Sequence, residues 1–152
     1  MQMKTSRLLL LLVGAVILLT VPVKAQQYQT KRTASYPSAA FVEQMMDELK
    51  INYKPSGKDE YKLTFKGYEV HLYLSEKSIQ LSAVFGHVAN SIKINAFNKK
   101  TNFGRVYLND DGDPVFESEL NFEGGVSFEY ILNFFRTYIT TLNSFLNHLN
   151  GL

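Results

Sequence analysis

Between residues 61 and 85, apolar positions alternate with polar ones in three runs that are separated by short turns. The apolar residues that alternation places on one face of the strands are Tyr61, Leu63, Phe65, Tyr68, Val70, Leu72, Leu74, Ile79, Leu81, Ala83 and Phe85. A period of two is typical of a β-strand with one buried face. Turns at Lys66-Gly67 and Glu76-Lys77 preserve this parity, so the three strands should form one antiparallel sheet with a single apolar face.

The second half of the chain shows the same alternation in two further runs, joined by a turn at Asp110, Asp111 and Gly112. The apolar residues of these runs are Val106, Leu108, Phe116, Leu120 and Phe122. They can share a face only if the loop has three residues, which sets Val106 opposite Phe116. Gly112 then occupies the position that takes a positive φ in a type I turn followed by a G1 bulge.

Two segments have apolar residues at the spacing of an amphipathic helix. The first follows Ser35 or Ser38, either of which could cap its N-terminus, and it ends in a polar stretch, Asn52–Asp59, that we expect to be a loop. Its apolar residues are Phe41, Val42, Met45, Met46 and Leu49. The second helix covers about Val88–Lys100, with one stripe formed by Val88, Ile92 and Ala96 and with Ile94 and Phe97 nearby.

A turn at Gly124 and Gly125 precedes the last and longest helix, which Ser127 can cap. Its main stripe consists of Phe128, Ile131, Leu132, Phe135, Ile139, Leu142, Phe145, Leu146 and Leu149. The stripe is flanked, at intervals of four residues, by Tyr130, Phe134 and Tyr138. Such a wide apolar surface predicts burial on more than one side. The three flanking aromatics either widen the core or form an interface with a second copy or a polypeptide partner.

These elements predict an α+β domain over residues 36–152, with the order helix-strand-strand-strand-helix-strand-strand-helix. We expect a single antiparallel five-stranded sheet with the helices on one face. Residues 26–35 are polar and are expected to be a flexible leader.

The N-terminus has the pattern of an export signal. Lys4 and Arg7 precede an apolar run, Leu8–Thr20, and a cleavage site with small or medium residues follows at Ala25. We expect residues 1–25 to be a signal peptide and the protein to be periplasmic or secreted. An uncleaved anchor is the alternative, although the run is shorter than the roughly 20 residues of a comfortable membrane span.

Composition limits the possible partners. Cysteine is absent, so the exported domain must rest on its apolar core without disulfides. The whole chain has 16 Lys and Arg against 14 Asp and Glu; cleavage would remove three basic residues and leave about 13 against 14. A nearly neutral domain without a basic, aromatic-rich stripe is not expected to bind nucleic acid. After cleavage, no membrane attachment is expected either.

The residues that could bind a metal lack the required spacing. The three histidines, which fall on a strand, in a loop and near a helix end, are His71, His87 and His148. The acidic run of Asp110, Asp111 and Asp113 lacks the 12-residue loop and distal glutamate of an EF-hand. We expect no metal site and no cofactor.

Glu117 and Glu119 are the strongest candidates for acid–base chemistry, because they share one strand face. The predicted register, however, places Arg105 and Tyr107 beside them, and cross-strand ion pairing explains this arrangement. We therefore assign no catalytic residue and expect a protein that is not an enzyme.

The stretch Phe97–Ile131, FNKKTNFGRVYLNDDGDPVFESELNFEGGVSFEYI, resembles the second half of the YbjN family of bacterial proteins. The matching residues are Phe97, Asn98, Phe103, Gly104, Arg105, Tyr107, Leu108, Asp111, Gly112, Asp113, Glu117, Ser118, Leu120, Gly124, Gly125, Val126 and Ser127. The resemblance implies a fold like that of the type III secretion chaperones and a non-catalytic protein-interaction module of a chaperone-like or sensory-regulator kind. A small carrier or sensor with an apolar ligand pocket between sheet and helices is the alternative.

Overall fold

The computed structural model describes residues 33–34, 37–86 and 89–151, so the expected signal peptide (1–25) and most of the expected leader lie outside the described residues. The helices are α1 (Ala39–Glu48), α2 (Ser91–Asn98) and α3 (Phe128–Asn150). The strands are β1 (Thr33–Ala34), β2 (Asn52–Gly57), β3 (Glu60–Phe65), β4 (Tyr68–Leu74), β5 (Ser78–Val84), β6 (Arg105–Leu108), β7 (Pro114–Asn121) and β8 (Val126–Ser127).

The main sheet has six antiparallel strands in the order β2-β3-β4-β5-β7-β6, one more than the sequence predicted. The additional strand is β2, in the segment that was expected to be a loop. Its side chains are mostly exposed, so it has no apolar alternation, and it is held by backbone pairing that sets Tyr53 opposite Leu63. Pro55 is tolerated there because β2 lies at the edge of the sheet.

The predicted strand registers are confirmed. Phe65 pairs with Tyr68, and Leu74 pairs with Ile79, across the two short turns. In the hairpin β6–β7, Val106 pairs with Phe116. The pairs leave a single apolar face, on which the fully buried strand residues are Leu63, Val70, Leu72, Ile79, Leu81, Ala83 and Phe116.

All three helices contribute to the core on this face of the sheet. The N-cap of α1 is Ser38, whose Oγ accepts a hydrogen bond from Phe41 N. Ser127 caps α3 in the same way, and Gly151 ends that helix in the left-handed conformation. The long apolar stripe of α3 packs against β7 and the rest of the hydrophobic core.

The predicted stripe of α2 is wrong. Ile94 and Phe97 are the buried residues of this helix, whereas Ile92 is 77% exposed. The helix begins at Ser91 with Asn90 as its N-cap, later than expected, and it is only eight residues long. In so short a helix the buried side is set by contact with β6 and α3 rather than by a strong sequence period.

A second, two-stranded sheet joins the start of the domain to α3. Thr33 pairs with Ser127 and Ala34 with Val126. Both residues of β1 lie in the stretch that the sequence predicts to be a flexible leader, but their backbone belongs to the folded part of the chain because β8 supplies hydrogen-bonding partners.

Candidate functional site

The three aromatics that flank the stripe of α3 lie in different environments. Tyr138 is fully buried and Phe134 is 6% exposed, whereas Tyr130 is 58% exposed. The ring of Tyr138 stacks on Phe116 with 4.9 Å between centroids, and Phe134 packs at 5.7 Å from Phe103. A wide core helix accounts for Phe134 and Tyr138, so Tyr130 is the member of the trio that could contact a partner.

Tyr138 also bears the most deeply buried hydroxyl of this group. Its OH donates a long hydrogen bond of 3.4 Å to Phe116 O. Burial, with a smaller contribution from Glu117, raises the pKa of the Tyr138 phenol. This side chain therefore stays neutral and supports packing between α3 and β7.

The glycine and aspartate turns lie at the chain reversals. Gly112 has a φ of 81°, and its N–H donates to Asn109 O at 3.0 Å within the β6–β7 hairpin, whose tip carries Asp110 and Asp111. The turn before β8 includes Gly125, with a φ of 95°, preceded by Gly124 with a φ of 92°. The positive φ values of these glycines allow the backbone to reverse direction.

The surface of the sheet opposite the helices, which we call the open face, carries polar side chains from five strands. Its side chains in β3–β7 include Lys62, Glu69, His71, Tyr73, Gln80, Ser82, Val84, Arg105, Tyr107, Val115, Glu117 and Glu119. Strand pairing places one row of them across five strands: Lys62, His71, Ser82, Glu117 and Arg105.

Both carboxylate oxygens of Glu117 accept hydrogen bonds on the open face. Arg105 Nη2 donates to its Oε1 at 2.8 Å, and Tyr107 OH donates to its Oε2 at 3.0 Å. Arg105 also lies over the Tyr107 ring, 5.2 Å from the centroid. Burial raises the pKa of the Glu117 carboxyl, but the hydrogen bonds from Arg105, Tyr107 and Gln80 outweigh it and hold the pKa below its ordinary value. The expected cross-strand ion pair is confirmed.

A second charged cluster lies on the same face. Glu69 Oε1 is 2.8 Å from Lys62 Nζ and 3.0 Å from His71 Nε2. The hydrogen bond from Lys62 lowers the pKa of the Glu69 carboxyl, against a smaller opposing effect of burial. His71 stacks on Tyr73, with 6.1 Å between ring centroids. The charges in this cluster compensate one another.

Exposed apolar and aromatic side chains lie within and beside these clusters. Val84 pairs with the buried Val115, which pairs in turn with Tyr107. Val84 is 52% exposed, and Tyr107 and Tyr73 are each 38% exposed. The open face therefore combines apolar contact area with paired charges, which is typical of a surface that contacts another molecule.

The two edges of the main sheet are protected against the addition of another strand. At β6, the side-chain amide of Asn98 accepts from Val106 N at 3.0 Å and donates to Val106 O at 2.8 Å. At the other edge, β2 contains Lys54, Pro55 and a register irregularity between Pro55 and Gly57. Lysine, proline and bulges are common devices that prevent edge pairing.

The space that an apolar ligand carrier would need lies between sheet and helices. That layer is occupied by large, fully buried side chains, which include Phe116, Phe135, Tyr138 and Phe145. Within the described ranges, no group of three or more His, Asp or Glu side chains is placed to hold a metal ion. The described helices are also not long and apolar enough to cross a membrane.

Residues 38–151 match the YbjN family model, which is described as "Putative bacterial sensory transduction regulator". The chain belongs to the YbjN family. The structure is similar to the crystal structure of YbjN from E. coli, with a TM-score of 0.65 and 18% sequence identity over 78% of this chain and 95% of that one. No curated protein matches the sequence.

A second similar structure is the Yersinia pestis type III secretion chaperone SycH, in complex with a stable fragment of YscM2. The TM-score is 0.51 and the identity 18%, and the match covers 75% of this chain and 98% of SycH. The α+β fold implied by the family resemblance is thus confirmed, with a sixth strand. The family is described as a bacterial sensory transduction regulator, and the fold is similar to that of a type III secretion chaperone.

Two features of the candidate site were missed in the sequence. The first is Asn98, which the sequence pattern indicates only as part of a polar helix end. The second is β2, whose polar residues predict a loop. An asparagine close to a short predicted edge strand was the available signal for the first, because a side-chain amide has both the donor and the acceptor that a strand edge requires.

Proposed function

We propose that this YbjN-family protein is an exported, non-catalytic module that binds a polypeptide through the open face of its sheet. The observation that carries the proposal is the presence of Tyr73, Val84 and Tyr107 as exposed side chains on a sheet surface that none of the described helices covers. The related fold of SycH, which was crystallised with a polypeptide fragment, supports the class of partner.

The charges on the open face indicate what kind of segment fits. Arg105 is paired with Glu117, and Lys62 is paired with Glu69. A strongly charged segment would have to compete with these internal pairs, whereas a nearly neutral segment would not. We therefore expect the partner to contribute apolar and uncharged hydrogen-bonding side chains, which complement the exposed tyrosines and Val84.

The protected edges favour contact with the face over strand addition. Asn98 already occupies the backbone groups of Val106 on β6. A bound segment would then lie across the strands and be recognised by side chains. A dimer or partner interface on the last helix remains the alternative, and it would use Tyr130, the exposed member of the trio Tyr130, Phe134 and Tyr138.

Paired surface variants can test the location of the site. Val84→Asp and Tyr73→Ser alter the open face, and Tyr130→Ser removes an exposed tyrosine from the helix side. We expect a polypeptide that co-purifies with the wild-type protein to rebind it, and the two open-face variants to lose at least about tenfold in affinity. Tyr130→Ser should bind normally. Loss of binding in Tyr130→Ser alone would show that the binding site lies on the last helix.

Self-association needs a separate measurement. If the partner is a second copy, light scattering should show an increase in mass with protein concentration, and thermal stability should rise with concentration. The variant that abolishes this dependence identifies the face. A constant monomer mass at high concentration would remove the homodimer and leave a different polypeptide as the partner.

Export is tested at the N-terminus. Lys4, Arg7 and the apolar run Leu8–Thr20 support cleavage after Ala25. Sequencing of the protein from the cell exterior or periplasm should begin at Gln26. A chain that still begins at Met1 in the membrane fraction would contradict cleavage and support the anchor.

A further inference from the structure

On the helix side of the sheet, an open cleft of about 310 Å³ lies between α3 and the end of α2 with the residues that follow it. It is lined by Phe97, Lys100, Thr101, Thr141, Ser144 and His148. The volume lies at the small end of the range for ligand pockets, roughly 300–1,000 Å³. It is therefore suited to a small molecule rather than to a polypeptide, and it is distinct from the open face.

One wall of the cleft is aromatic and fixed. Phe97 is 5% exposed, and the His148 ring packs against it with 5.7 Å between centroids. His148 Nε2 donates to Lys93 O at 2.8 Å, which holds the imidazole in one orientation. Lys93 Nζ donates in turn to Leu149 O at 3.2 Å, so this end of α2 is tied to the end of α3. The wall offers a preformed apolar surface to a ligand.

Two donors in the cleft lack a partner within the described residues. On α3, the hydroxyls of Thr140 and Ser144 donate to carbonyls one turn earlier. Thr141 makes no such bond in the described part of the chain. The side chain of Lys100 likewise forms no ion pair or hydrogen bond with any residue that the structure describes. Within the described part of the chain, the half-buried Thr141 hydroxyl and the exposed Lys100 ammonium thus line the same small space without an internal partner.

The charge of the lining determines the class of ligand. Lys100 is cationic, and none of the six lining residues is acidic. A carboxylate is the complement of an ammonium and a hydroxyl donor, and an apolar body is the complement of the aromatic wall. We propose that the cleft between α2 and α3 binds a small organic carboxylate, with its charged end at Lys100 and Thr141 and its body against Phe97 and His148.

The test uses benzoate as the probe, with benzyl alcohol and benzylamine as ligands of similar shape and different charge. Each is titrated into the purified ¹⁵N-labelled protein and followed by NMR. We expect saturable shifts for benzoate, concentrated at Phe97, Lys100, Thr141 and His148, and much weaker binding of the other two. Equal binding of benzyl alcohol, or shifts that are scattered and do not saturate, would overturn the proposal.

The chain supplies neighbouring control variants for both donors. Lys100→Gln should weaken benzoate binding by about tenfold and Thr141→Val by about fivefold, the losses expected for a charged and a neutral hydrogen bond. Lys99→Gln and Thr140→Val change the same residue types outside the cleft and should leave the affinity unchanged. Equal losses in Lys99→Gln and Lys100→Gln would show non-specific charge attraction and contradict the site. Circular dichroism and thermal unfolding verify that each variant is folded.

Discussion

Asn98 on α2 completes the hydrogen bonding of Val106 on β6 in place of another strand. Its Oδ1 accepts from Val106 N at 3.0 Å, and its Nδ2 donates to Val106 O at 2.8 Å. One side-chain amide thus satisfies the two outward backbone groups of an edge residue. This pair links α2 to the sheet and blocks that position against strand addition.

Replacing Asn98 by Leu should destabilise the protein by about 1–3 kcal/mol, because two partly buried hydrogen bonds are lost. Hydrogen exchange at the Val106 amide should accelerate at the same time. Asn95→Leu, at an exposed position of the same helix, is the control and should change neither quantity. Unaltered protection of Val106 in Asn98→Leu would show that water or another group replaces the amide.

Among the glycines whose neighbouring atoms can be compared, Gly104 is expected to tolerate a side chain least. Its φ is 72°, and a Cβ would lie 2.8 Å from Glu117 O and 2.9 Å from Phe116 Cε2. Gly104→Ala should cost about 3 kcal/mol or more, since backbone strain and overpacking add. Gly124 has a φ of 92°, and a Cβ added there would have no neighbouring atom within 4 Å. Gly124→Ala should therefore cost only about 1–2 kcal/mol. Urea unfolding of both variants measures the difference.

Gly112 tests the hairpin turn. With a φ of 81° in the three-residue loop, it should tolerate valine poorly, and Gly112→Val should cost roughly 1–2 kcal/mol. Gly112→Asn should cost less, because asparagine adopts this conformation more readily. Equal stability of the valine variant would mean that the loop can change its conformation without affecting the register.

The Glu117 network should make stability depend on acid pH. Because the pKa of Glu117 is lower in the folded than in the unfolded protein, its contribution is present above the unfolded pKa and is lost as pH falls toward the folded one. Glu117→Gln should flatten that part of the profile of unfolding temperature against pH. Glu119→Gln changes an exposed glutamate of the same strand and should retain the wild-type slope; identical profiles for all three proteins would exclude this role.

The last helix offers a test of core against surface. Phe135 is fully buried and Phe134 nearly so, so alanine at either position should cost about 3–5 kcal/mol at every protein concentration. Tyr130→Ala should change monomer stability by less than about 1 kcal/mol, because the side chain is 58% exposed. A large, concentration-dependent loss in Tyr130→Ala would instead support an interface on this helix.

The sequence alone determined the registers of the three hairpins β3–β4, β4–β5 and β6–β7. Parity is a local property of a strand, because a shift of one residue would move every apolar side chain to the solvent face. Val106 could therefore be placed opposite Phe116, and the three-residue turn with Gly112 followed from that pairing. The sequence also predicted the cap at Ser127 and narrowed the cap of α1 to Ser35 or Ser38, since a helix N-terminus depends on neighbouring residues; the structure selects Ser38.

The tertiary structure decided the features that depend on contacts between distant elements. It made β2 a strand although its side chains show no pattern, because pairing with β3 needs only backbone groups. It turned α2 so that Ile94 rather than Ile92 is buried, and it placed Tyr138 against Phe116 in the core while leaving Tyr130 outside. An aromatic residue has the same sequence signature in a core and in an interface, and only its neighbours in space distinguish the two.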